Sequence, residues 1–315
     1  MIGVKIKSIE YSFSKKVEYL RELKNDNPDW NVKKIFSATG IKKRYISGKN
    51  ENIISLSIKS ANKIFKKFPK KKIDFLIVIT QTSNFRIPST SCILQDQLNL
   101  RNDIKAFDIN MGCSGFIYGL NIASNLIRNK EGKNGLIICT DVYTKFIKKD
   151  NRSCRPIFSD ASCSIVVSAD KKNYLGPFEF GTDGKGAFDL SLKEDSKDIY
   201  MNGSRVALFS VKRVPECIKK LLKKINKNIN TIDKFIFHQA SKYVLDKIYR
   251  VMNIDKKKVF ENYQNYGNTV SASIPIALKM ASKKKFLKND DKIILTGFGV
   301  GLSWGSVFVK WKKIN

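Results

Sequence analysis

Four stretches in the first half of this 315-residue chain recur, in the same order, in its second half. IDFLIVITQTS (73–83) reads like IDKFIFHQAS (232–241): an Ile-Asp start, a short run of branched and aromatic residues, then a polar loop. AFDINMGCSGFIYGLNIA (106–123) parallels VFENYQNYGNTVSASIPIAL (259–278), each a short strand, a turn of small residues and an apolar helix. NGLIICTDV (134–142) parallels DKIILTGFG (291–299), and SCSIVVSAD (162–170) parallels GSVFVKW (305–311). The order predicts two copies of one mixed strand-and-helix unit, an α/β fold with halves 1–172 and 173–315 and a seam near 170–180.

A pseudo-twofold relation between the halves would bring equivalent loops together near the axis. The loop before the first apolar helix carries Cys113 and its counterpart carries Asn268, while His238, the only histidine, follows the strand FIF. Ligands gather outside strand ends in such sheets, so the duplication alone converges a thiol, an imidazole and a carboxamide.

Composition narrows the class. With 42% hydrophobic residues and no long polar tract, the chain can bury a large core as a soluble globular protein. Its net charge of +31 is spread in short lysine runs such as KKFPKKK (66–72), without an arginine-rich arm, zinc finger or aromatic RNA-binding signature. Solvated lysine faces are therefore expected rather than a nucleic-acid surface, and an acidic protein or phosphorylated cofactor is a natural partner. The six cysteines show no C-x-x-C, and with one histidine they predict neither a metal site nor a disulfide framework but a reducing cytoplasm. MIGVKIKSIE has no apolar core of a signal peptide, and 293–309, interrupted by four glycines, reads as two buried strands and a tight connection rather than a membrane helix.

The chemistry follows from the three converging residues. A buried structural thiol is the commonest fate of a free cysteine. Cys113, however, sits between glycines ahead of the apolar helix SGFIYGLNIASNLI, where helix-terminal N–H groups favour a thiolate, whereas Cys92, Cys139 and Cys163 read as core. His238 is expected to begin the helix QASKYVLDKIYRVM, and Thr269 and Ser271 to cap the helix after Asn268. An imidazole N–H and a carboxamide N–H₂ could both donate to a thioester oxygen as it becomes an enolate. The backbone of GFGVGLSWG (297–305) could add the N–H of Val300 to that of Cys113 as an oxyanion hole.

DINMGCSGFIYGL, FHQAS, YGNTVSASIPIAL and GFGVGLSWG together resemble the 3-oxoacyl-[acyl-carrier-protein] synthase III family of thiolase-fold condensing enzymes. TGIKKRYIS (39–47), PSTSCILQDQL (88–98), RPIFSDASCSIVV (155–167) and TDGKGAFDL (182–190) extend the likeness almost end to end. The resemblance implies a thiolase-like αβαβα layering, a homodimer, a place in fatty acid biosynthesis and no resident cofactor. Coenzyme A and acyl-carrier-protein thioesters would be its substrates. It makes Cys113 the acylated nucleophile, with His238 and Asn268 binding the malonyl thioester carbonyl. A Cys-His-His synthase would need a second histidine, and a thiolase a second cysteine in the last glycine-rich loop; neither is present. Plant-type polyketide synthases share the triad but usually differ around the cysteine.

By the same resemblance Trp30 and Arg152 match positions that bracket adenine, Arg44 a phosphate contact and Ile87 an acyl-pocket residue. Lys212, Arg213, Lys242, Lys247 and Arg250 would form a basic collar for the carrier protein. The sequence departs from the family at Ser241 in HQAS, at Val300, at Ile87 and in a longer segment between Trp30 and TGIKKR. These departures fit a specialised acyl group, such as those placed on surface sugars. Two further readings are open: transfer of the acyl group to a hydroxyl or amine, and a basic binding module on an old catalytic scaffold.

Overall fold

The computed structural model describes residues 2–314. One sheet, in the order β1-β5-β4-β2-β3, is built from β1 (Gly3–Phe13), β2 (Phe75–Ile79), β3 (Lys105–Ile109), β4 (Asn134–Asp141) and β5 (Ala161–Asp170). The other, in the order β7-β8-β9-β6, is built from β6 (Leu175–Thr182), β7 (Lys234–Phe237), β8 (Lys292–Gly299) and β9 (Ser303–Lys310).

The two sheets repeat one pattern. β2 pairs parallel with β4, β4 antiparallel with β5 and β5 antiparallel with β1. Likewise β7 pairs parallel with β8, β8 antiparallel with β9 and β9 antiparallel with β6. Where β3 lies parallel beside β2, the second half has only a single parallel bridge from Phe235 to Val259. Positions 172 and 173 lie in the turn joining β5 to β6.

Burial explains the layers. All five residues of β2, FLIVI, are buried because both faces of this parallel strand are covered. Phe75, Ile77 and Ile79 face a central layer, whereas Leu76 and Val78 pack with Leu94 and Ile64 of outer helices over Thr90–Gln97 and Ile53–Phe65. The central layer is two helices. α2 (Gly115–Arg128) contributes Phe116, Ile117 and Leu120, and α5 (Ser273–Lys283) contributes Ile274, Ile276 and Leu278, to one core shared with both sheets. α3 (Gly203–Lys224) and α4 (Lys242–Met252) close the far side over Phe235, Phe237 and Ile294. A short helix, α1 (Val32–Thr39), packs against α4 and ends at Gly40 with φ 68°. Among the described residues no helix is long and apolar enough to cross a membrane.

Several local expectations change. α4 starts at Lys242, not Gln239, because Gln239 is buried and braces the chain: its Oε1 accepts from the backbone N–H of Asn262 at 2.8 Å. Cys139 and Cys163 are core, but Cys92 is exposed on the outer face of its helix. Thr269 and Ser271 do not cap α5; Ser271 Oγ instead donates to Asp141 Oδ2 at 2.6 Å, tying the two halves together.

Candidate active site

Cys113 is held by what surrounds its backbone. Complete burial of Phe116, Ile117 and Leu120, each contributing roughly 1.5–3 kcal/mol, anchors the helix that begins two residues later. From the other side the β8–β9 connection presses in. A Cβ at Gly299 would lie 2.9 Å from Cys113 Sγ, and one at Gly297 would lie 2.8 Å from the Cys113 carbonyl oxygen. Only hydrogen at these positions lets the second half reach Cys113.

The backbone N–H groups of Val300 and of Cys113 itself act on the thiol. Both stabilise a thiolate, yet burial, followed by the charge of Asp141, pushes the thiol up to about 12. Burial therefore opposes the resting thiolate that the helix end favours. Ser114 precedes α2 without capping it through its side chain and Gly115 is the first helical residue, so the favourable helix end acts beside a sulfur from which water is excluded.

His238 follows β7, its N–H bonded to the Thr296 carbonyl at 2.8 Å and its ring edge-on to Phe298. Burial drives it down to about 3, so the imidazole is neutral. Its Nδ1 lies 2.6 Å from Ser273 Oγ, which is also 3.0 Å from the Val270 carbonyl oxygen. With the hydroxyl proton on Val270, Nδ1 is the donor and Nε2 presents a lone pair; with it on Nδ1, Nε2 becomes a donor. Ser273 thus selects which face of the imidazole chemistry is offered.

Asn268 is fixed by its backbone on both sides: its N–H donates to the Ile157 carbonyl and its carbonyl accepts from Ser159 N–H, each at 2.9 Å. Its Oδ1 accepts from Val270 N–H at 2.9 Å, leaving the Nδ2 hydrogens for a ligand. The preceding Gly267 has φ 65° and ψ −170°, a conformation essentially reserved for glycine.

Cys113, His238, Asn268, Phe298 and Gly299 line one cavity of about 170 Å³. Its remaining wall is largely apolar, with Ile157, Leu190, Met201 and Val206, and it reaches Thr39, Ser241 and the half-exposed Tyr243. The arrangement offers a nucleophile, two N–H groups around it and two further polar side chains in a dry channel. Asp141 is the neighbour that motif reading missed. Burial raises its carboxyl to about 7 despite donors from Gln81 N, Ser271 Oγ and Thr82 Oγ. A charged residue closing the apolar run NGLIICTD was the available signal.

The other expected contacts divide. Trp30 is packed with Leu20, Leu23 and Ile35 at 9% exposure, so its ring offers no stacking face. Arg44 is equally unavailable as a phosphate contact: 5% exposed, it is paired with Glu18 and donates to the Phe158 carbonyl. Arg155 closes this buried network onto Glu18 and Asp26. Arg152 is exposed. Ile87 is 86% exposed and lines no part of the Cys113 cavity. Lys212, Lys242, Lys247 and Arg250 are exposed, whereas Arg213 is half-buried and answered by Asp183 and Glu216. Among the described residues no group of three or more His, Cys, Asp or Glu side chains could hold a metal ion.

Two duplicated mixed sheets around a central helix pair, with a cysteine at the entrance of the first central helix, define the thiolase-like fold of condensing enzymes. Solved structures agree. A 3-oxoacyl-[acyl-carrier-protein] synthase III from Aquifex aeolicus covers 98% of this chain and 100% of its own at TM-score 0.92 and 32% identity. A priming β-ketosynthase from the R1128 polyketide pathway shares the fold at TM-score 0.91 and 22% identity, over 99% of this chain and 97% of its own. Residues 107–184 match the 3-oxoacyl-[acyl-carrier-protein (ACP)] synthase III family model, and residues 222–311 match its C-terminal companion. The β-ketoacyl-[acyl-carrier-protein] synthase III of Natranaerobius thermophilus is 36% identical over 93% of this chain and 94% of its own. The chain belongs to the 3-oxoacyl-[acyl-carrier-protein] synthase III family, and is a condensing enzyme of the acyltransferase class.

Proposed function

We propose that this enzyme runs a two-stage decarboxylative Claisen condensation through an acyl-cysteine. In the first stage Cys113 attacks an acyl thioester carried by coenzyme A or acyl carrier protein, the carrier thiol leaves, and the acyl group stays on sulfur. In the second, malonyl-carrier protein loses carbon dioxide, its α-carbon attacks the acyl carbonyl, and the Cys113 thiol is released. His238 and the Asn268 carboxamide bind the malonyl thioester oxygen as it becomes an enolate, and the N–H groups of Cys113 and Val300 bind the acyl oxygen. The observation that carries this reading is that the buried Cys113, His238 and Asn268 line one cavity.

The rest of the proposal follows the family. The halves 1–172 and 173–315 contribute the nucleophile and its two partners respectively, and no resident cofactor takes part. The enzyme works in the cytoplasm as a homodimer. In support, β3 is an open sheet edge with half-buried Phe107 and Ile109, and the nearby 80s loop exposes Phe85 and Ile87.

Intact mass analysis after incubation with acyl thioesters tests the first stage: an adduct on Cys113, lost in Cys113→Ala, is expected. His238→Ala and Asn268→Ala should still acylate but lose condensation by about 10²–10³-fold. An adduct confined to another cysteine, or variants failing only at acylation, would overturn the assignment.

A further inference from the structure

Beyond the thiol lies a second cavity of about 210 Å³, separated from the first by Leu190, which lines both. Its character is different: Gln81, Thr82, Asn110, Tyr143 and Ser191 stand on its wall beside Val300. It also adjoins the nucleophile. Gln81 and Val300 close over Gly112, the residue before Cys113, so tightly that a Cβ there would collide with Gln81 Oε1 and lie 2.7 Å from Val300 Cγ1. An acyl group on Cys113 whose oxygen meets the N–H groups of Cys113 and Val300 has two directions for its chain. One is the apolar channel, through which the thioester arms must pass; the other is this second cavity.

We infer that the second cavity is an acyl subsite built for a short acyl group bearing its own hydrogen-bond-accepting oxygen, a hydroxy- or oxoacyl group, and not for a plain alkyl chain. The inference rests on the acyl-cysteine reading above. Tyr143 Oη donates to Gln81 Oε1 at 2.7 Å, which fixes the carboxamide and leaves its Nε2 hydrogens without a partner among the described residues. The Asn110 carboxamide has no hydrogen bond among them either. Tyr143 is buried, and burial holds its hydroxyl well above its ordinary value, so it remains a neutral donor. A saturated chain in this cavity would take solvent from the Gln81 carboxamide and return nothing, whereas an oxygen on the chain could accept from it and from Asn110 at the rim. Sites built around such donors discriminate strongly against the analogue lacking the oxygen.

The test uses acyl-pantetheine thioesters, which need no nucleotide contact: acetyl, butyryl, 3-hydroxybutyryl and acetoacetyl. The rate of Cys113 acylation is read by intact mass. The oxygenated C4 groups should acylate about 10–100 times faster than butyryl, and the hydroxy and oxo arms decide which oxygen is preferred. Gln81→Leu should shift that ratio at least tenfold towards butyryl, and Asn110→Leu, a second variant on an exposed side chain, should shift it in the same direction. Butyryl reacting as fast as both oxygenated groups would overturn the inference while leaving the acyl-cysteine intact, as would a ratio unmoved in both variants. Failure of all four thioesters to label Cys113 would overturn the acyl-cysteine reading and this inference together.

Discussion

Cys113 and His238 sit where each is held uncharged. The thiol is pushed up to about 12 and the imidazole down to about 3, in both cases chiefly by burial, so neither titrates between pH 5 and pH 9. The resting pair is thiol and neutral imidazole, and nucleophilicity must develop as the thioester fills the channel. Alkylation of Cys113 by iodoacetamide should therefore rise steadily across that range, without the low-pH plateau of a preformed thiolate. Asp141 adds a bend. Its folded carboxyl, near 7, lies above the ordinary 3.8, so it is neutral below about pH 6 and charged above about pH 8. When charged it opposes the thiolate. Asp141→Asn should thus alkylate like the parent at pH 6 and a few-fold faster at pH 8.5; equal profiles throughout would remove Asp141 from the electrostatics of the site. The stability terms follow the same signs. Asp141's contribution is fully present below pH 3.8 and is lost as pH rises through 7, while neutral His238 contributes above pH 6.5 and loses that contribution as pH falls towards 3.

Strands and glycine turns carried most of what could be read from the chain alone. The runs FLIVI, KFIF, KIILTGFG and SWGSVFVK are strands because β-branched and aromatic residues fill positions covered on one or both faces, and that pattern is local. The start of α4, the uses of Ser271 and Gln239, and the burial of Arg44 were not legible, since each depends on a partner well separated along the chain, whereas Trp30 is buried by its near neighbours Leu20, Leu23 and Ile35. Asp141 belongs with these: its interest arises from Ser271, 130 positions away. Gly267 lies between the two kinds. NYGN reads as a turn, but only the fold shows why glycine is required. A Cβ there would lie 2.9 Å from that of Ser159 and 3.1 Å from the Ile157 carbonyl oxygen, the oxygen that anchors Asn268. Gly267→Ala should cost about 1–3 kcal/mol from the backbone conformation alone, seen as a lower denaturant midpoint. It should reduce condensation more than Cys113 acylation, because the strain falls on Asn268. A variant with unchanged midpoint and full condensation would show that the turn relaxes freely.

At the scale of the whole molecule, duplication places Cys113 on one half and His238 and Asn268 on the other, and the channel between them opens beside α1 and α4. Charge is the remaining global feature. A net +31 is too diffuse to name a partner, but its placement on α4 is specific: Lys247 and Arg250 are exposed, and Tyr243 on the same helix lines the channel. Lys247 Nζ sits 4.7 Å from the centre of the Tyr243 ring, which brings its charge towards the opening. Lys242 is compensated by Asp246 at 2.7 Å, and Arg213 by Asp183 and Glu216, which leaves Lys212, Lys247 and Arg250 as the collar residues with no carboxylate partner among the described residues, the last two on α4. A carrier protein of acidic surface would be steered there before its pantetheine arm enters, an effect on encounter that salt screens over about 10 Å at 0.1 M. Lys247→Glu with Arg250→Glu should raise KM for malonyl-carrier protein, most strongly at low ionic strength, and leave kcat nearly intact. Acylation by a small acyl-pantetheine thioester should not change, because that substrate carries no docking surface. Equal loss with both substrates would place the damage in the fold or in the channel itself, and docking on α4 would then be wrong.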